Sequence, residues 1–158
     1  MYLMIVLFSA LFLMRLFSPR ELDDVHPSLH CPVEIARSDV LWVIPLFKND
    51  SIADHLDWCS SMRALHKTLE LHGVYHTYEE FAGNVSADAF AQAVVAFHTC
   101  FGLLPTRFKP PQLAYSRVND GLLKQYSLIR HGFWHQLTHK VYHCEDTGTF
   151  PNWFIRLF

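Results

Sequence analysis

The chain has 158 residues, of which 51% are hydrophobic, 15% aromatic and 18% charged, and its net charge is −2. This composition is too apolar for a disordered chain and fits one globular domain. Because the basic residues form no dense run, nucleic acid binding has no electrostatic support, and we expect none.

The N-terminal segment is a nearly continuous apolar run from Met1 to Met14, which Arg15 and Ser18-Pro19 end. A helix that spans a bilayer needs about 20 apolar residues, so the run is too short for one. It has the length of a signal-peptide core, but no basic residue precedes it and no clear small-x-small cleavage site follows it. We therefore predict a hydrophobic segment at residues 1–18 and leave three roles open: signal peptide, anchor, or an extra strand or helix.

These roles lead to different locations for the protein. A signal peptide or an anchor predicts a secreted or membrane-anchored protein, with membrane association through residues 1–17. If residues 1–17 belong to the fold, a cytoplasmic protein is expected.

The four cysteines are far apart and lack Cys-x-x-Cys spacing. They are predicted to be buried thiols, with one or two disulfides as the alternative in a secreted protein.

Short apolar runs alternate with segments of helical periodicity along the rest of the chain. Strands are predicted at residues 20–24, 40–46, 69–71, 106–110 and 137–143. Helices are predicted at residues 52–69, 87–101 and 121–129. This alternation predicts an α/β domain with parallel strands over residues 19–158.

The run Leu69–Leu71 leads into His72-Gly73-Val74-Tyr75-His76. Gly73 permits a sharp turn, and one helical turn after it would place both histidines on one face, where they can bind one metal ion. Such a pair is weak evidence in a chain with 11 histidines. A second pair, His131-Gly132-Phe133-Trp134-His135, shares no wider similarity with the first and is interpreted as coincidence.

Two further motifs follow predicted strands. The adjacent carboxylates of Asp23 and Asp24 are costly to bury without a cation or a role, and Lys109-Pro110-Pro111 ends another strand. Ligands of such folds bind at the carboxyl ends of the strands, so we expect one shared site. A metal held by one carboxylate and two histidines keeps positions open for water and substrate, while a second carboxylate can take a proton from that water.

The order Asp-Asp, His-Gly-x-x-His, Phe-Lys-Pro-Pro resembles the polysaccharide deacetylase superfamily, also called the NodB-homology or carbohydrate esterase 4 type, over about residues 20–146. The His-Gly-x-x-His form is most similar to its divergent, uncharacterised branch. The resemblance implies a distorted (β/α) barrel. One strand-and-helix unit takes about 30 residues, which leaves room for roughly four or five units after Arg20, so we expect the barrel to be incomplete.

The resemblance also implies roles for the motif residues. It makes Asp23 the general base and makes Asp24, His72 and His76 the ligands of a divalent metal ion, with zinc expected. The implied activity is a metal-dependent hydrolase that removes an acyl group from an N-acylated sugar or polysaccharide. The alternative is a catalytically degenerate carbohydrate-binding or structural module.

Two residues later in the chain complete this implied site. Lys109 stands where many relatives have an arginine that holds the catalytic aspartate; it keeps the charge but loses the planar fork, and Arg107 is a possible substitute. His143 resembles the catalytic acid and is expected across the cleft from Asp23, with His135 and His139 as competitors. Histidines recur every four residues from 131 to 143. A helix there would form a second metal-binding surface, but we predict a strand.

Overall fold

The computed structural model describes residues 2–157, and in this part of the chain six strands form one parallel sheet in the order β5-β4-β3-β2-β1-β6. The strands are β1 (Arg20–Val25), β2 (Val40–Val43), β3 (Thr68–His72), β4 (Arg107–Lys109), β5 (Ile129–Arg130) and β6 (Lys140–His143). The helices are α1 (Tyr2–Phe17), α2 (Pro32–Arg37), α3 (Leu56–Ala64), α4 (Ala87–Phe101), α5 (Asp120–Gln125), α6 (Phe133–Thr138) and α7 (Asn152–Ile155).

The prediction of an α/β fold with parallel strands and an incomplete barrel is confirmed. Among the described residues, β5 and β6 are the two edges of the sheet and do not pair with each other, so the sheet is not closed. Strand β2 lies between β1 and β3 and is buried along its whole length. A strand that is covered on both faces reads as a continuous apolar run, as this one does.

Helix α4 matches its prediction, and its apolar stripe packs into the core through Phe90, Ala93 and Phe97. It ends at Gly102, whose φ of 71° is the left-handed conformation that glycine adopts readily.

The helix predicted at residues 52–69 is wrong over much of its length. The segment instead contains a short 3₁₀ helix, Ile52–Asp54, then α3, and residue 68 already belongs to β3. Leu56 and Leu65, which the helical spacing assigned to the buried face, are 67% and 42% exposed. The helix ends before His66, which has a φ of 53°.

Two other predicted elements have different bounds. The helix predicted at residues 121–129 ends at Gln125, since Ser127 has a φ of 55° and Ile129 starts β5. The strand predicted at residues 137–143 starts only at Lys140, because its first part belongs to α6.

The predicted hydrophobic segment forms helix α1 from residue 2 onward, and Met1 lies outside the described residues. Helix α1 packs against α6, and the Arg15 guanidinium lies 3.5 Å from the Leu137 carbonyl oxygen. No helix within residues 2–157 combines the length and the apolar character needed to cross a membrane.

The prediction of buried thiols is wrong, because the cysteines form two disulfides, Cys31–Cys144 and Cys59–Cys100. The first joins the segments that follow the neighbouring strands β1 and β6, with its Cα atoms 5.3 Å apart. The second joins α3 to α4. Sequence spacing does not reveal these pairs, since their members lie 113 and 41 residues apart.

Removing the first disulfide with the double change Cys31→Ser and Cys144→Ser is expected to lower the free energy of unfolding by roughly 2–5 kcal/mol, because the unfolded chain gains freedom. The matched control is Cys59→Ser with Cys100→Ser, which opens the shorter loop of 41 residues rather than 113. The loop-entropy relation predicts about 1 kcal/mol more loss for the longer loop. Urea denaturation of both variants measures this, and an equal or smaller loss for the longer loop would contradict it.

Candidate metal centre and active site

The predicted site residues lie at one edge of the sheet. His72, Lys109 and His143 are the last residues of β3, β4 and β6, and Asp23 and Asp24 lie near the end of β1. Because all six strands are parallel, these ends point the same way. A cleft of about 580 Å³ opens there, and both aspartates line it.

A bulge in β1 allows the adjacent aspartates to share this cleft. Adjacent side chains of a regular strand point to opposite faces. Here the pairing of β1 with β2 slips by one residue between Leu22 and Val25, and Asp24 has a φ of 63°. Such bulges re-aim side chains, and a positive φ at a non-glycine residue costs about 1–3 kcal/mol, a strain that clusters at functional sites.

Asp24, His72 and His76 form a compact cluster. The Oδ1 atom of Asp24 lies 2.7 Å from His76 Nε2 and 3.2 Å from His72 Nε2. One potential ligand atom from each residue lies within 4.8 Å of the others. Asp24 and His72 are buried and His76 is half-buried. The structure therefore brings together the three residues predicted to be metal ligands.

The ring of His72 is oriented by a backbone carbonyl. Its Nδ1 lies 2.9 Å from the carbonyl oxygen of Lys109, to which it can only donate a proton. This hydrogen bond fixes a proton on Nδ1, so Nε2, which faces Asp24, is the nitrogen through which the ring could bind a metal ion. A carboxylate oxygen and two imidazole nitrogens fit the donor set of a zinc site that keeps one position open.

The loop that carries His76 is not the helical turn expected from the sequence. Residues 73–76 are irregular, and His76 has a φ of 58°. The Glu80 carboxylate accepts hydrogen bonds from the backbone N–H groups of Val74 (3.0 Å) and Tyr75 (2.7 Å). Glu80 therefore holds the loop that places His76 against Asp24, a role that a helical turn would have made unnecessary.

Gly73 is required by both its conformation and its surroundings. It has a φ of 65°, and a Cβ atom there would lie 2.6 Å from Pro111 Cγ and 2.6 Å from the Glu80 carboxylate. Gly73→Ala is expected to lower the unfolding free energy by about 1–3 kcal/mol and to weaken zinc binding, because the loop must shift. Thermal unfolding and zinc titration measure these effects. Gly83→Ala is the control, since beyond Gly83 and its two chain neighbours no described atom lies within 4 Å of its Cβ position. Equal behaviour of the two variants would show that Gly73 is not required.

The second carboxylate oxygen of Asp24 is held from the other side. Its Oδ2 accepts hydrogen bonds from His143 Nδ1 and Thr147 Oγ1, both at 3.1 Å. Burial alone would raise the pKa of Asp24, but hydrogen bonds from His143, His72 and His76 outweigh it and hold the pKa far below its usual range. Asp24 is therefore ionised and fixed through both oxygens.

His143 lies beside Asp23 rather than across the cleft from it, so that expectation is wrong. The two residues are paired neighbours on β6 and β1. Burial lowers the pKa of His143, but the hydrogen bond to Asp24 and the charge of Asp23 prevail and raise it above its usual value. The Asn152 side chain accepts from the His143 N–H (3.0 Å) and donates to the His143 carbonyl (2.7 Å), which fixes the backbone at this position.

Lys109 holds Asp23 in a buried ion pair. Its ammonium lies 2.8 Å from Asp23 Oδ1 and 3.4 Å from Glu21 Oε2, and all three side chains are buried. The substitute considered for it, Arg107, binds Glu70 instead at 2.9 Å. The idea that Arg107 replaces the missing arginine is therefore wrong.

Several residues that shape the site were missed by sequence reasoning. Glu21 lies two residues before Asp23, so the two-residue period of a strand was a signal that it shares the face of Asp23. Thr147 lies in a loop and Asn152 is the first residue of α7, and nothing in the sequence alone marks their contacts. Of the two competitors of His143, His135 contacts Glu21 at 2.5 Å, and His139 lines the cleft.

Comparison with known proteins finds the fold but no close relative. No family sequence model matches the chain, and the search of curated proteins gives no match. The family 4 carbohydrate esterase from Streptomyces lividans, solved with acetate, aligns at 11% identity over 71% of this chain and 60% of its own, with a TM-score of 0.53.

Two structures of a carbohydrate esterase 4 family pseudoenzyme also align at 8% identity. The wild type, from Bacillus anthracis, matches over 66% of this chain and 44% of its own, with a TM-score of 0.50. A mutant matches over 71% of this chain and 42% of its own, with a TM-score of 0.53. The matched part thus spans 42 to 60% of these three structures. The chain has the fold of the polysaccharide deacetylase superfamily, the carbohydrate esterase 4 or NodB-homology type, with a sheet that is not closed.

Proposed function

We propose that the protein is a metal-dependent hydrolase that removes an acyl group from an N-acylated sugar. The observation that carries this proposal is the convergence of the Asp24, His72 and His76 cluster with the Asp23–Lys109 ion pair in one cleft. A metal centre with an ionised carboxylate beside it is the arrangement that hydrolysis of an amide needs.

Asp24, His72 and His76 would hold the ion, with zinc as the expected metal. Zinc in this position would supply Lewis acidity toward the carbonyl oxygen of the substrate and toward water. The hydrogen bond from His72 Nδ1 to the Lys109 carbonyl orients the ring so that Nε2 is the nitrogen that would bind the ion. The contacts of His143 and Thr147 with Oδ2 keep Asp24 Oδ1 directed at the two histidines.

Asp23 is the proposed general base, which accepts a proton from the attacking water. The Lys109 ammonium, 2.8 Å from Oδ1, fixes the carboxylate and balances its charge in a buried position. Lysine does this through a single point of charge, whereas an arginine would use its planar fork. Glu21 Oε2 lies 3.4 Å from the same ammonium and helps to hold Lys109 in place.

His143 is the proposed general acid, which gives a proton to the leaving nitrogen. Burial lowers the pKa of His143, but the hydrogen bond to Asp24 and the charge of Asp23 together outweigh burial and raise it. The raised pKa favours the protonated form that an acid needs. Because Nδ1 already donates to Asp24, Nε2 is the atom from which the proton would leave. The imidazole lies directly against Gly148, where a larger residue would displace it.

The cleft suits a carbohydrate. Phe133 and Phe150 line it and are 62% and 58% exposed, so their flat apolar faces are available to sugar rings. The fold match to a carbohydrate esterase supports the same class of substrate. The two disulfides favour an oxidising compartment, which supports the proposal that the protein is secreted.

The test is acetate release from N-acetylated chito-oligosaccharides by purified, zinc-loaded protein. We expect acetate release that a chelator stops and added zinc restores. Zinc-loaded protein that releases no acetate from these substrates would contradict the proposed activity.

The alternative function is a carbohydrate-binding module that lacks catalysis. The open sheet favours this alternative, because a sheet that does not close into a barrel excludes water from a reacting group less completely. Calorimetric binding of the same oligosaccharides without acetate release would support this alternative, whereas zinc-dependent turnover would exclude it.

A further inference from the structure

A second cluster of potential metal ligands lies outside the proposed catalytic centre. It consists of Glu21 on β1, His135 on α6 and His139 directly after α6. One potential ligand atom of each residue lies within 4.8 Å of the others, and Glu21 Oε1 lies 2.5 Å from His135 Nε2. Glu21 is only 1% exposed, whereas both histidines are half-buried.

The tautomer of His139 is fixed by its neighbours. Its Nδ1 lies 3.0 Å from the carbonyl oxygen of His135, which can only accept a hydrogen bond. The Thr138 hydroxyl donates to the carbonyl of Trp134 (3.0 Å), so it also meets His139 Nδ1 as an acceptor. Nδ1 therefore carries the proton, and Nε2 of His139 keeps a free lone pair.

Glu21 is held in the same way as Asp24. Its Oε2 accepts a hydrogen bond from the Trp42 indole at 2.8 Å and lies 3.4 Å from the Lys109 ammonium. The other oxygen, Oε1, is left to face His135. In both clusters, donors fix one carboxylate oxygen and direct the second toward an imidazole.

The ring of His131 completes the surroundings of this cluster. Its centroid lies 3.8 Å from that of His135, and its Nδ1 is buried without a hydrogen-bond partner among residues 2–157. A buried nitrogen of this kind calls for an explanation such as an ion or a water. His139 lines the cleft, so an ion has a route of entry from solvent.

We propose that Glu21, His135 and His139 form a second site for a divalent transition-metal ion, with zinc as its occupant. Two imidazole nitrogens and one carboxylate oxygen are the ligand types that zinc prefers. The proposal gives a role to the second His-Gly-x-x-His sequence, which ends at His135. It does not depend on the proposed deacetylase activity.

Zinc binding at this site has a geometric consequence. Bonds of ~2.0–2.2 Å in a tetrahedral site place ligand atoms about 3.3–3.6 Å apart. Glu21 Oε1 and His135 Nε2 are 2.5 Å apart, so they must separate by about 1 Å. We expect that separation to come from a shift of α6, the short helix that carries His135.

The experiment is a zinc titration of chelator-stripped full-length protein by calorimetry, with metal content measured after gel filtration. We expect two zinc ions per chain in the wild type and one in His139→Gln. His76→Gln, which affects only the proposed catalytic centre, is also expected to bind one. His98→Gln, at an exposed position on α4, is the control and is expected to bind two.

The outcomes separate the two proposals. A wild type that binds one ion, which His139→Gln keeps and His76→Gln loses, would overturn the second site and leave the catalytic centre intact. One ion that His76→Gln keeps and His139→Gln loses would support the second site and contradict the catalytic centre. If His139→Gln does not fold, His135→Gln replaces it. A single ion at saturation in the wild type excludes a protein with two occupied sites, and the two variants then show which of the two sites holds that ion.

Discussion

Replacement of His76 by alanine is expected to remove one zinc ion per chain. His76 Nε2 lies 2.7 Å from Asp24 Oδ1 and supplies one of three protein ligands. The loss in zinc affinity should exceed the roughly 10–100-fold loss caused by removal of a residue that only hydrogen-bonds to a metal ligand. The fold should survive, because Glu80 fixes the loop through the backbone of Val74 and Tyr75, not through His76. Competition with a chromophoric chelator measures the affinity.

The matched control for this variant is His66→Ala. His66 is exposed and lies in the turn before β3, away from the carboxyl edge of the sheet. It should bind zinc with the affinity and stoichiometry of the wild type. If His76→Ala also binds as the wild type does, the Asp24 cluster is not a metal centre.

Replacement of Asp23 by asparagine is expected to lower turnover by about 10²–10⁴-fold, the contribution of a positioned general base. Asparagine keeps the size of the side chain and an oxygen for the Lys109 ammonium, but it cannot take up the proton. Zinc content should not change, because Asp23 is outside the ligand cluster. Lys109 keeps Glu21 as a counter-ion, which limits the loss of stability.

Initial rates of acetate release and zinc content, measured on the same Asp23→Asn sample, check this prediction. The control is Asp57→Asn, at an exposed position in the first turn of α3, which should match the wild type in both. Turnover that persists in Asp23→Asn would show that the base is another group. Loss of zinc together with turnover would show that Asp23 is a ligand.

The sequence was sufficient to predict that the candidate site residues meet at one edge of the sheet. Predicted strands lead directly into His72 and Lys109, and each of these residues ends a parallel strand of the structure. The geometry of parallel sheets then brings strand ends to one edge without any knowledge of individual contacts. The position of His143 at the end of β6 follows from the same rule.

The local backbone around the site was not predictable in the same way. The left-handed conformation of Asp24 (φ 63°) and of His76 (φ 58°) is uncommon for residues other than glycine, so the sequence does not predict it. Two interactions impose it: the shifted pairing of β1 with β2 at Asp24, and the hydrogen bond of the Glu80 carboxylate to the loop that carries His76. Neither contact partner is marked by its position in the sequence.

The histidine-rich segment near the C-terminus shows how two signals can compete. A spacing of four favours a helix, whereas Val141 and its neighbours favour a strand. The structure contains both, since α6 ends at Thr138 and β6 begins at Lys140. The prediction of a strand over residues 137–143 was therefore right only for its second part.

The presence of zinc at the Asp24 cluster is tested most directly by anomalous diffraction at the zinc edge from crystals of the zinc-loaded protein. We expect an ion bonded to Asp24 Oδ1, His72 Nε2 and His76 Nε2 at ~2.0–2.2 Å. The same ion should leave the His143 ring bound to the opposite oxygen of Asp24, as its present contact of 3.1 Å indicates. Diffraction that shows no ion between Asp24, His72 and His76 in zinc-loaded protein would show that this cluster is not a metal centre.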